Sequence, residues 1–186
     1  MVSRRDFLLA GTAAGAVVGA GVLVPLAVVL TDEDAAVSGA SGARLASFPR
    51  TRVASVSGLA VGEPQFFDYP FEGQSNIIVK TGNQSLGGVG DDRDIVSYSN
   101  LCTHMGCPVT EYQIDSSVLG PCPCHFSSFD LSRDGQVGFG QATQNLPRIL
   151  LEVDSGDVYA TGVFRLVYGQ SDSLASAGLT EVGNQS

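Results

Sequence analysis

All four cysteines and both histidines of this 186-residue chain fall in two short boxes. The first is Cys102-Thr103-His104-Met105-Gly106-Cys107 and the second is Cys122-Pro123-Cys124-His125. No thiol or imidazole is left over, so the backbone must bring both boxes to one place. C-x-H and C-x-x-H are tight spacings, which predicts a loop for each box. Gly106 lets the backbone pass close by, and Pro108, Pro121 and Pro123 stiffen the loops. Three chemistries fit such a donor set. Two thiolates and two imidazoles make a tetrahedral zinc site. Four cysteines in an exported chain can form two structural disulfides. Mixed thiolate and imidazole ligation also suits an iron–sulfur centre. Neither of the first two explains why each box carries an extra cysteine beside Pro or Gly.

The text around the boxes predicts an all-β fold. Short runs rich in β-branched and aromatic residues occupy Arg52–Leu59, Gln65–Phe71, Asn76–Lys80, Ile95–Ser99, Val118–Pro121, Phe129–Leu131, Ile149–Val153, Val158–Thr161 and Leu166–Tyr168. Turn signals separate several of them: Thr81-Gly82-Asn83, Arg133-Asp134-Gly135 and Asp154-Ser155-Gly156-Asp157. The 23 glycines and the 44% hydrophobic content suit a loop-rich β domain with a core. That domain is expected over residues 48–170, with the boxes in loops at about 101–130. Residues 31–47, acidic and rich in Ala, Ser and Gly, read as a flexible linker, and 171–186 as a loose tail. Leu101, Met105, Pro108 and Phe126 flank the boxes, as a water-excluding docking tip or as local packing.

The N-terminus, Ser3-Arg4-Arg5-Asp6-Phe7-Leu8-Leu9, resembles a twin-arginine export signal. An uncharged run of 23 residues follows from Leu8 to Leu30, ahead of Asp32-Glu33-Asp34. As a helix it would reach about 34 Å, enough to span a bilayer. Residues 1–30 are therefore expected to be a twin-arginine signal or a retained membrane anchor. Export by that route carries a folded, cofactor-loaded protein to the periplasm or the outer face of the cytoplasmic membrane. The formal net charge of −9, with Lys80 the only lysine, argues against nucleic acid as a partner.

From Cys102 to about Leu151 the chain resembles the Rieske family. That resemblance implies an antiparallel β sandwich or barrel with a small cluster-binding subdomain, and a 2Fe–2S cluster. Carried over residue by residue, Cys102 and Cys122 would bind one iron, and His104 and His125 the other. Cys107 and Cys124 match the disulfide pair of the high-potential branch, which ferredoxin-type and oxygenase Rieske centres usually lack. Two ferric irons, two sulfides and two thiolates sum to zero charge, whereas four thiolates would leave a dianion. Such centres accordingly lie at roughly −150 to +300 mV.

Within the branch, Cys122-Pro-Cys-His-Phe-Ser-Ser-Phe-Asp130 and Gly140-Gln-Ala-Thr-Gln-Asn-Leu-Pro-Arg148 are similar to the small subunit of arsenite oxidase. Rieske proteins of cytochrome bc complexes usually have Gly after the second box and a Gly-Pro-Ala-Pro loop. Here those positions hold Phe126 and Gly140-Gln141-Ala142-Thr143. The cytochrome bc proteins also place a Ser and a Tyr where this chain has Ser127 and Phe129, and both hydroxyls raise the potential. Gly106, Pro123, Ser127 and Phe129 are thus the residues expected to support the ligands. The resemblance implies an electron carrier with no substrate site of its own, in an arsenite oxidase-type complex. Its partners would be a large molybdopterin subunit and a soluble cytochrome c or small copper protein. The alternative is the Rieske subunit of a quinol-oxidising cytochrome bc-type complex.

Overall fold

A computed structural model describes residues 48–170 and Val182. The expected signal or anchor, the linker, and the tail apart from Val182 lie outside the described residues. Among the described residues the chain is all-β, as expected, with nothing more helical than three-residue 3-10 turns.

Six strands form one antiparallel sheet, in the order β1-β10-β9-β4-β3-β2. They are β1 (Thr51–Ser55), β2 (Gln65–Asp68), β3 (Ser75–Lys80), β4 (Ile95–Ser99), β9 (Arg148–Asp154) and β10 (Asp157–Phe164). Four shorter strands form a second sheet, in the order β5-β6-β7-β8. These are β5 (Tyr112–Gln113), β6 (Val118–Leu119), β7 (Ser128–Asp130) and β8 (Gln136–Phe139). The second sheet is an insertion between β4 and β9, which are neighbours in the first: Tyr98 pairs with Arg148, and the Ser99 N–H donates to the Pro147 carbonyl at 2.8 Å.

Local chemistry explains the elements. Asp154 and Asp157 face each other across the β9–β10 hairpin, and Ser155 (φ 52°) and Gly156 (φ 87°) both turn with positive φ. That is the primed turn whose twist suits a hairpin. Strands β3 and β4 are buried along nearly their whole length because both of their faces are covered. Ile77 and Val79 point into a core shared with the inserted sheet, while Ile78 and Ile95 point into a second core with Ala54, Leu59 and Val158. The first core continues through Val109, Leu119, Phe129, Leu131 and Leu146 to the buried side chains of Cys102 and Cys122. Apolar packing thus runs from the large sheet to the thiols.

Two strands escape the sequence pattern and one expected strand is absent. β5 is two residues long, and β8 is mostly exposed and interrupted by Gly138, so neither alternates. Leu166–Tyr168 is not a strand, because Arg165 (φ 79°) turns the chain out of the sheet.

Candidate metal centre

The two boxes fold alike. In the first, between β4 and β5, the Cys102 N–H donates to the Cys107 carbonyl at 2.9 Å and the Gly106 N–H to the Cys102 carbonyl at 2.7 Å. In the second, between β6 and β7, the Cys122 N–H donates to the Ser127 carbonyl at 2.8 Å and the Phe126 N–H to the Cys122 carbonyl at 2.9 Å. Each turn closes through a residue of positive φ, Gly106 at 74° and Phe126 at 63°. Gly106 is required on two counts: a Cβ there would also lie 2.4 Å from the Tyr168 ring.

The paired turns bring the cysteines and histidines of both boxes together. Cys102 and Cys122 are each 1% exposed and carry free thiols. Burial pushes the Cys102 thiol pKa up; a backbone hydrogen bond at His104 opposes this, and the neighbouring Cys122 sulfur adds to it. His104 is half-buried and His125 exposed, and their Nδ1 atoms face each other at 3.2 Å. The rings meet edge to face, with centroids 4.6 Å apart. Two apposed thiols on the core side and two converging imidazole nitrogens on the solvent side fit a cluster held by two thiolates and two histidines.

Cys107 and Cys124 form the disulfide, with Cα atoms 6.5 Å apart, and it ties the boxes together. The sulfurs of Cys107, Cys122 and Cys124 lie within 4.8 Å of one another, but two of them are spent in that bond and are not thiolates. Pro123 lies exposed between Cys122 and Cys124. Phe129 is fully buried in β7 among the core side chains. Ser127 is fully buried as well, and its Oγ accepts from the N–H groups of Gln141 and Ala142.

A third loop, residues 140–147, completes the enclosure. The Thr103 hydroxyl donates to the Gln144 carbonyl at 2.6 Å, which joins this loop to the first box. Ser127 joins it to the second. The sequence offers no signal for Thr103, because its partner is a backbone carbonyl 41 residues away.

The Rieske [2Fe-2S] domain model matches residues 50–153. The chain belongs to the Rieske family. Its cofactor is the Rieske-type 2Fe–2S cluster. The chain is 43% identical over 169 residues to the iodate reductase subunit IdrB of Pseudomonas sp. (strain SCT), which covers 90% of this chain and 82% of that protein. It is 44% identical over 71 residues to the cytochrome bc1 complex Rieske iron-sulfur subunit of Streptomyces lividans, covering 38% of this chain and 41% of that one. Among solved structures, the soluble domain of Rieske protein II (soxF) from Sulfolobus acidocaldarius superposes with a TM-score of 0.56 at 28% identity. That match covers 64% of this chain and 80% of the other, so the Rieske fold extends over both sheets.

Proposed function

We propose that this chain is the electron-transferring Rieske subunit of an oxyanion oxidoreductase with a large molybdopterin partner. Cys102, Cys122, His104 and His125 hold its cluster. The observation that carries the ligand assignment is the pair of buried free thiols beside two imidazole nitrogens converging at 3.2 Å. When bound, the cluster supplies one-electron transfer at a potential raised by its two neutral ligands. The apolar core keeps water from Cys102 and Cys122, and the disulfide holds the boxes in register. Exposed His125 marks the face at which a redox partner approaches.

The near full-length likeness to an iodate reductase subunit supports the complex, whereas the likeness to a cytochrome bc1 subunit covers only 71 residues. Iodate is therefore the better-supported oxyanion, with arsenite second. An iodate-reducing partner draws electrons from this chain. An arsenite-oxidising partner feeds them into it, and onward to a cytochrome c or small copper protein. The chain works outside the cytoplasmic membrane after twin-arginine export, and a disulfide is at home in that oxidising compartment.

The test is co-purification from the native host, with metal analysis and visible spectroscopy. A molybdenum subunit is expected, with iodate re-oxidising the dithionite-reduced Rieske chain in the complex. A co-purifying cytochrome b, or reduction of the chain by arsenite with no response to iodate, would displace this reading in favour of the corresponding complex. Cys102→Ser or His125→Ala should abolish the cluster spectrum. A colourless wild-type protein holding zinc would sink the ligand assignment.

A further inference from the structure

Tyr168 belongs to neither box, yet its ring lies on the first one. Gly106 closes that box at a φ of 74°. A Cβ added there would fall 2.4 Å from Cδ1, 2.5 Å from Cε1 and 3.4 Å from Cγ of the Tyr168 ring. The ring therefore fills the space that a side chain at this turn would take. The segment carrying Tyr168 is itself fixed. Just beyond β10, Arg165 donates to the Leu146 carbonyl at 2.9 Å and pairs with Asp134. Val167 is buried, and the Gln170 N–H closes a turn on the Val167 carbonyl at 3.1 Å. The second box is covered differently. Cys124, His125 and Phe126 are exposed, whereas His104, Gly106 and Cys107 are half-buried.

We propose that Tyr168 is a positioning residue for the redox centre: its ring seats on Gly106 and holds the first box, and with it His104, in place against the second. The inference rests on reading His104 as a ligand. A glycine turn has the widest backbone freedom and no side chain of its own to pack. An aromatic ring supplies a large contact area with two χ angles to order. The disulfide restrains the first box at Cys107, and the ring restrains the turn just before it. Ligands keep a productive geometry only when the groups behind them are locked by packing.

Pulsed EPR of the dithionite-reduced, full-length holoprotein tests this, after iron and sulfide analysis has established that the wild-type chain is loaded. Wild type should show two histidine nitrogen couplings. Tyr168→Phe keeps the ring and should leave both unchanged. Tyr168→Ala should shift or broaden one and leave the other at its wild-type value. Two unchanged couplings in Tyr168→Ala would overturn the proposal even if that variant melts earlier, because the ring would then support the fold without positioning a ligand. A Tyr168→Phe spectrum that departs as far as Tyr168→Ala also overturns it. Iron loss on mild heating gives a second reading. Gly106→Ala drives a methyl into the ring and should lose iron about tenfold faster than wild type, and in the Tyr168→Ala background most of that acceleration should vanish. Equal acceleration in both backgrounds overturns the contact. Should Tyr168→Ala fail to load, Tyr168→Leu, which lacks the planar ring, takes its place in both measurements. An iron-free wild-type chain would instead overturn the ligand reading, and the metal analysis separates that failure from this one.

Discussion

Phe126 holds a backbone conformation that suits glycine better than phenylalanine. It closes the second box at a φ of 63°, where the first box uses Gly106, and its side chain is 63% exposed. Left-handed backbone costs an L-residue roughly 1–2 kcal/mol, and little burial offsets that here. Phe126→Gly should raise stability by about 1 kcal/mol, after allowance for the greater entropy of an unfolded glycine. Urea unfolding of the holoprotein measures it, and a lower midpoint would be the contrary result. Phe129 makes the opposite case. Its position among the buried core side chains explains a phenylalanine, yet Phe129→Tyr would bring a hydroxyl beneath the cluster. The expected outcome is a higher potential, and a value at or below wild type in voltammetry would refute it. At this scale the sequence was legible wherever chemistry is specific to a side chain: the ligand candidates and the disulfide cysteines stand out as letters. Gln141 and Ala142 were not legible, because they act through backbone N–H groups that almost every residue carries.

Among the elements, the two box loops form a near-symmetric pair whose halves are covalently joined. The Cys107–Cys124 bond closes a loop with a sequence separation of 17, and the chain-entropy model gives such a closure about 3 kcal/mol. Cys107→Ser with Cys124→Ser should lower stability by that order and speed iron loss on mild heating, read from the decay of visible absorption. Retention of iron at the wild-type rate would show that hydrogen bonding within each box suffices. Strand legibility followed burial. β3 and β4 are buried along most of their length and β10 alternates, whereas β9 shows through its Ile-Leu-Leu run, and the sequence places each of the four within three residues at either end. β5 and β8 were invisible because β5 has two residues and none of them buried, and β8 is mostly exposed, so neither imposes a period.

Across the whole molecule, Asp134 is the principal polar tie between the two sheets. It lies in the turn before β8 and pairs with Arg148 of β9 at 2.9 Å and with Arg165 just beyond β10. Arg165 also donates to the Leu146 carbonyl at 2.9 Å. The three side chains are about a quarter exposed, so solvent screens them only in part. Asp134→Ala leaves two arginines without their carboxylate and should cost about 2 kcal/mol, discounted from the fully buried case for that exposure. Thermal unfolding checks it, and a change under 0.5 kcal/mol, roughly the size of an ordinary surface substitution, would count against the tie. No sequence pattern announces this triad, since its members come from three separate segments.

The inserted sheet has one further consequence. It leaves the large sheet after Ser99 and rejoins it before Arg148, at points a single 2.8 Å hydrogen bond apart. The cluster-bearing part is therefore a cassette with adjacent ends. Any pair of neighbouring antiparallel strands offers the same socket, so the redox unit and the platform carrying it are free to change independently, one under selection for voltage and the other for address.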